Sequence, residues 1–504
     1  MSTVFAVAKQ MTFGRPFCTY KLLCGKLKTL RRRYMFYISD LTDEEIMLIE
    51  QLVYMKEGDD TPINSEDAGK SIGMLLQGYT DAVLAEMDSS GTSDADYAAI
   101  IRYMKESEKI ARLILDGTMT HEDGTVLAYC FAFPDNPYDA LVAFSGTTKK
   151  EWGDDIEGLT YVDTPRQLDA KRYIDNLSYK NIIVTGHSKG GNKAMYVTVL
   201  CDKVTRCVSM DGQGFSLEFL DHYAPEISER AGIIKNYSVK TDFVHVLLFQ
   251  PPDSQQIYCE GYRTDRPDNA AAHHAGYSFF DIRDGKLVRS GNDGHILIRT
   301  KDENGNDITE DPSVIMLHNF TVYLMNVAPS EDKERVVRLI ATAADMVMVN
   351  GSGKKEMIAY FSEHLDELAI LLAYLIKYMD TYGLSSKDID ALLEMLGLRS
   401  LDEIFSLSIH PDMFSYNGIK IFGLSDILDL VLKDLTDGKE NYAIDIVLET
   451  FTTALYFKKI DFDLRSLWSA TETKISSIPS VSRDEGLKTP QPYRKAAAAS
   501  LEHY

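Results

Sequence analysis

The sequence predicts an α/β architecture: a mostly parallel sheet flanked by helices, with helices ahead of it and an all-helical region behind. Three observations predict it. Between residues 125 and 249, short β-branched, apolar runs alternate with helical stretches, the pattern of parallel strands covered on both faces. Residues 39–115 and those beyond Asp311 show apolar residues at helical spacing instead. Finally, the run NIIVTGHSKGGNKAM (181–195) passes from a buried strand straight into a helix, with Ser188 at the bend.

Taken in order, residues 1–34 hold eight Lys or Arg and no acid. The basic cluster KLKTLRRRY comes last, which is the wrong order for a secretory signal. LRRRYM can be encoded by a purine-rich bacterial ribosome-binding sequence followed by a start codon. Met35 is therefore the expected start and 1–34 a translated leader, the alternative being a basic flexible arm. Residues 35–115 form an N-terminal helical segment expected to pack on the sheet domain. In SDLTDEEIMLIEQLVYM, Asp40 or Thr42 can cap, acids fill the first turn, and Ile46, Ile49, Leu52 and Val53 make an apolar stripe. DSSGTSDADY (88–97) reads as a polar loop.

The α/β domain spans 116–328. TVLAYCFAF (125–133) and DALVAFSG (139–146) read as a hairpin joined by PDNPY. NIIVTG, TRCVSMDG (205–212), AGIIKNYSV (231–239) and FVHVLLF (243–249) supply further strands, and TPRQLDAKRYIDNL and GGNKAMYVTVLCDK supply helices. YSFFDIRDGKLVRS and HILIRTKDENGNDIT read as hairpins decorating its end. APSED supplies a break and a cap near Ala328 to Glu331, opening a C-terminal helical domain over 329–477. The Pro-containing stretch 478–504 reads as a mobile tail.

Composition narrows the function classes. The 504 residues are 45% hydrophobic and 26% charged, ordinary for a globular protein, and long enough for two or three domains. A formal net charge of -23 argues against nucleic acid and against docking on anionic lipid, because an acidic surface repels phosphates. The six cysteines form no CxxC pair, so reduced, mostly buried thiols in a cytoplasmic setting are expected. The apolar run LAILLAYLI (368–376) is shorter than the roughly 20 residues of a membrane span, so no transmembrane segment is expected.

GHSKG fits G-x-S-x-G, and its strand–turn–helix setting is that of a nucleophile elbow, the signature of an α/β-hydrolase fold. Small residues at 186, 190 and 191 let strand and helix approach closely. The Lys189 amide then lies at a helix N-terminus, where an oxyanion would be stabilised. A serine hydroxyl needs a histidine to take its proton and a carboxylate to orient that histidine. In this fold the chain order is Ser, acid, His. Asp242 follows a strand and turn and is the preferred acid, with Asp211 the alternative. DNAAAHHAGYSFF supplies His273 and His274 on a later loop. Gly146 allows a sharp turn, and Thr147 can offer a second oxyanion N–H.

FSGTTKKEWGDDIEG resembles the F-R-G-T…W…D oxyanion segment of class 3 lipases. VTGHSKGG is similar to their V-T-G-H-S-L-G-G elbow, KTDFVHVL to N-D-P-V-P-R-L, and HHAGYSFF to H-x-x-Y-W. The resemblance covers about residues 110–282, and the chain looks most like a bacterial lipase-like branch with helical extensions. It implies Ser188 as nucleophile, Asp242 as acid, His274 as base and Thr147 with Lys189 as oxyanion donors. Three departures stand out. Ser145 occupies a usual Arg position, Lys189 replaces an apolar residue, and DGQGF replaces G-x-P-R.

The sequence therefore predicts a serine hydrolase cleaving carboxylic esters, lipase- or esterase-like, on a lipid-like or small acyl ester. It would work through an acyl-enzyme, with no metal or organic cofactor. The rival expectation is a catalytically idle scaffold whose helical C-terminal region binds a protein partner of unknown identity.

Overall fold

The computed structural model describes residues 36–54, 63–90, 92–121, 126–146, 162–262, 273–289, 295–296, 298–348, 354–395, 415–416, 419–420, 424–437 and 462–487. The leader with its expected Met35 start, Thr147, and residues 441–457 of the expected C-terminal helical domain lie outside the described residues.

Thr42, rather than Asp40, caps the first helix, α1 (Asp43–Glu50). Its hydroxyl accepts the Glu45 N–H while the Glu45 carboxylate accepts the Thr42 N–H, a reciprocal capping box. The expected stripe of Ile46, Ile49, Leu52 and Val53 is buried. Helices α2 (Asp81–Ser90) and α3 (Thr92–Glu106) are separated by one residue and pack on each other. The expected loop over 88–97 is therefore almost wholly helical. Its acids do helical work: Asp94 lies in the first turn of α3, where the helix dipole favours negative charge, and Asp88 pairs with Arg102. A short α4 (Glu108–Arg112) leads into the sheet.

Seven strands follow: β1 (Ile114–Thr120), β2 (Val126–Phe133), β3 (Asn136–Phe144), β4 (Asn181–His187), β5 (Val204–Met210), β6 (Ile234–Val239) and β7 (Gln255–Cys259). They lie side by side in sequence order, β1 to β3 antiparallel and β3 to β7 parallel. This order decides how the sheet is covered. Right-handed crossovers that always step to the next strand fall on one face. On that face α5 (Pro165–Asn176), α6 (Lys189–Leu200), α7 (Leu217–His222) and α8 (Ala224–Arg230) share a core with Val142, Ile182, Val184 and Cys207. The alternate strand residues, Leu141, Ile183, Val208 and Met210, point to the opposite face. There the N-terminal helices supply the cover through Ile46, Leu52, Ile100 and Met104.

The strand expected over 243–249 is absent. Asp242 Oδ2 accepts the backbone N–H groups of Val244 and His245, which turns the chain immediately, and only Phe249 bridges to Phe215. Strands β1 and β7 went unread because both are edges and partly exposed, so their residues lack the apolar run of a central strand. The hairpin expected in 277–290 is reduced to Ile282–Arg283 paired with Lys286–Leu287.

The C-terminal helices are α9 (Pro312–Val327), α10 (Ser330–Met348), α11 (Lys354–Glu363), α12 (Leu365–Tyr382), α13 (Ser386–Met395), α14 (Leu424–Asp437), α15 (Leu464–Ser477) and α16 (Arg483–Gly486). They enclose a separate core that includes Phe320, Tyr374, Met379, Val431 and Leu467. Helix α9, which precedes the break expected at 328, gives Met316, Phe320, Tyr323 and Leu324 to this core and Val322 to the core of the sheet's helices, so it packs on both. The tail read as mobile from 478 is docked as far as Leu487. Arg483 donates to Thr381 O, Tyr382 to Arg483 O, and Asn326 to Gly486 O. No described helix is long and apolar enough to cross a membrane. Cys130, Cys201, Cys207 and Cys259 are buried free thiols.

Candidate active site

Parallel strands β4, β5 and β6 end side by side, and each is followed by a candidate residue: Ser188, Asp211 and, after a short turn, Asp242. Ligands of open α/β sheets bind beyond these carboxyl ends. Ser188 is the N-cap of α6, with φ 59° and ψ −126°, a conformation that residues other than glycine rarely adopt. The strain is sustained by close packing around it. A Cβ on Gly186 would lie 2.2 Å from Gly190 C, and one on Gly190 would lie 2.3 Å from Phe144 O. Ser188 N–H is held by Met210 O, and its side chain makes no capping bond. The hydroxyl is thus left for other chemistry.

Lys189 opens α6, so its amide belongs to the first-turn N–H groups at the positive end of the helix dipole. Its side chain is buried, as is that of Lys193, which donates to Ser145 O. Ser145 donates its hydroxyl to Leu127 O. The DGQGF loop is clamped by Asn192, whose amide donates to Gln213 O and Gly214 O.

Of the two candidate acids, Asp242 meets the histidine. His274 Nδ1 lies 2.7 Å from Asp242 Oδ1, and its ring packs 4.6 Å, centroid to centroid, from that of His187, the neighbour of Ser188. Nε2 is the ring nitrogen that does not meet this carboxylate. His273 turns elsewhere, with Nδ1 2.9 Å from Thr241 Oγ1. Burial alone would raise the Asp242 pKa, but His274 and His245 outweigh it and hold the carboxyl well below the usual range.

Asp211 has a different part. Its Oδ1 accepts the Val239 N–H and its Oδ2 lies 3.9 Å from His187 Nε2. Burial, then the Asp242 charge, raises its pKa well above the ordinary value. His187 is pushed the other way, down to about 3, by burial and by His274. Burial and the Asp242 charge thus favour the neutral form of Asp211, whereas Asp242, with two imidazoles on it, is favoured as the carboxylate of the cluster.

Three participants were not read from the sequence as site residues. Tyr54, from the N-terminal segment, reaches the carboxyl ends of β3 and β4. Its hydroxyl accepts Gly146 N–H at 3.1 Å, donates to His187 O at 3.2 Å and lies 3.0 Å from His187 Nδ1. The other two are His245 and Glu310. His245 Nδ1 is 2.8 Å from Asp242 Oδ2, and its Nε2 is 2.8 Å from Glu310 Oε1. His187, Asp211 and His274, and likewise Asp211, Asp242 and His245, approach within the spacing of metal ligands. Both Asp242 oxygens, however, already accept from imidazoles.

Among known proteins, the profile of a family described as Mbeg1-like, a lipase-like family, matches residues 115–239. The match runs from β1 to the end of β6. It takes in Ser188 and Asp211 and stops short of Asp242 and His274. No curated protein matches the chain. The chain thus carries a segment similar to a lipase-like family, on a mostly parallel α/β sheet.

Proposed function

We propose that the protein is a serine hydrolase of the α/β-hydrolase type, acting on carboxylic esters of lipid-like or small acyl groups. The observation that carries this reading is the elbow itself: a non-glycine residue held at φ 59° with an uncommitted hydroxyl, beside a histidine already oriented by a buried carboxylate. A scaffold has no need of that strained serine.

In this reading Ser188 Oγ attacks the ester carbonyl carbon as His274 Nε2 takes the hydroxyl proton. Asp242 stabilises the imidazolium that forms. The tetrahedral oxyanion accepts from the Lys189 N–H at the head of α6 and from the Thr147 N–H that follows Gly146. His274 then gives its proton to the leaving alkoxide. Water, deprotonated by the same nitrogen, hydrolyses the acyl-serine.

The test is fluorophosphonate labelling of the full chain and of Ser188→Ala, alongside hydrolysis of short- and long-chain nitrophenyl esters. Labelling and turnover that vanish together in Ser188→Ala support the reading, and chain-length preference names the acyl class. A folded wild type that neither labels nor turns over any ester refutes it.

A further inference from the structure

We infer that His245 and Glu310 extend the Ser188–His274–Asp242 arrangement into a five-residue chain, in which they fix the Asp242 carboxylate and reduce the basicity it confers on His274. The inference rests on the serine-hydrolase reading for its consequence, although the chain stands on geometry alone. Asp242 is fully buried and divides its oxygens between two imidazoles, His274 on Oδ1 and His245 on Oδ2. Two backbone N–H groups, of Val244 and His245, also reach Oδ2. The carboxylate therefore has one available orientation.

Both ring nitrogens of His245 face carboxylates, which only accept when ionised, so the ring carries both protons. Burial alone favours the neutral ring, but hydrogen bonds to Asp242 and Glu310 outweigh it and push its pKa up to about 10. Glu310 is in turn held below the usual carboxylate range: burial opposes this, and the bond to His245 outweighs burial. A cation thus sits behind the carboxylate that orients His274. It draws on the same negative charge that would otherwise favour the His274 imidazolium. His245 and Glu310 are positioning residues, since neither reaches the elbow.

Other titratable groups face this chain. His187 and Asp211 lie at the ends of β4 and β5, and His273 lies next to Thr241. Tyr258 of β7 and His318 of α9 face Glu310. The last of these matters for the architecture. Glu310 immediately precedes the N-cap of α9, Asp311 N–H is bound to Lys240 O, and His318 Nδ1 is bound to Val246 O. The start of the C-terminal helical region is thereby tied to the turn that carries Asp242 and His245.

The test compares two variants with opposite expected signs. In His245→Gln an amide replaces the cation, so the acid limb of kcat/KM for ester hydrolysis moves up by about one pH unit. In Glu310→Gln the cation loses its counter-charge, and the limb moves down by about half a unit. Selective 15N-histidine NMR on the full chain reads the His274 titration midpoint independently of turnover. It is expected to move in the same two directions. If either single variant fails to fold, the double variant His245→Gln/Glu310→Gln is expected to move the midpoint up. Folded variants whose NMR midpoints stay within 0.2 unit, or shift the same way, overturn the inference. Opposite NMR shifts in a protein that never turns over an ester uphold the chain and sink only the hydrolase reading.

Discussion

Tyr54→Phe removes one oxygen and separates the N-terminal segment from the elbow without emptying space. The Tyr54 hydroxyl accepts Gly146 N–H and donates to His187 O. Because that spends its single proton, His187 Nδ1, 3.0 Å away, carries the hydrogen of the neutral ring. The variant therefore strands two donors, Gly146 N–H and His187 Nδ1–H. A buried polar group left unpaired costs about 1–3 kcal/mol. Tyr54 is half-buried, so water can reach part of the gap, and the expected loss is about 2–3 kcal/mol. A urea titration measures it. The sheet with its two covered faces and the C-terminal core make more than one transition expected, and only the one involving the sheet and its N-terminal cover should shift. Activity should fall as well, since Gly146 N–H fixes the chain just before Thr147. A displacement of about 1 Å there costs up to 100-fold in kcat/KM. A transition within about 0.5 kcal/mol of wild type, with kcat/KM unchanged, would refute the account of Tyr54 as a support for the oxyanion segment.

Asp242→Asn should lower kcat by about 10⁴-fold in nitrophenyl ester turnover, because the amide favours the wrong tautomer of His274. Asp211→Asn should stay within about tenfold of wild type, since burial and the Asp242 charge already favour the neutral form of that carboxyl; a loss like that of Asp242→Asn would exchange the two roles. Gly190→Ala drives a methyl toward Phe144 O and should destabilise by about 1–3 kcal/mol in urea while slowing fluorophosphonate labelling. Stability should also fall with rising pH. The folded pKa of His245 lies above its unfolded value, so its contribution is complete below about pH 6.5 and is lost as pH rises through about 10. The loss is on the order of 3–5 kcal/mol across that window, and it should flatten in His245→Gln when urea titrations at about pH 6, 8 and 9.5 are compared.

Much of the sheet was legible because central strands are buried on both faces and so must be apolar throughout. NIIVT and TRCVSM announce β4 and β5 for that reason. The edges β1 and β7 are polar on one side and resemble loops. FVHVLLF misled in the opposite sense: it is apolar enough for a strand, but the Asp242 side chain captures two following N–H groups and bends the chain away. Within the site, Ser188 was legible from its local strand–turn–helix setting. Tyr54 and Glu310 were not, since each lies more than 60 residues from its partner, His187 and His245 respectively.

The sequence by itself determined the local features: the acidic first turn of α1, the close packing of Gly186 and Gly190, and the chain order of Ser188, Asp242 and His274. These depend on residues within one turn or one strand of each other. Only the tertiary structure decided which acid meets His274 and which is favoured in its neutral form, because that choice rests on burial and on the charge of groups after β4, β5 and β6 brought together. It also decided which face of the sheet the N-terminal helices, expected to pack on that domain, would close. Sequential right-handed crossovers leave that face uncovered, and no short stretch of sequence records it.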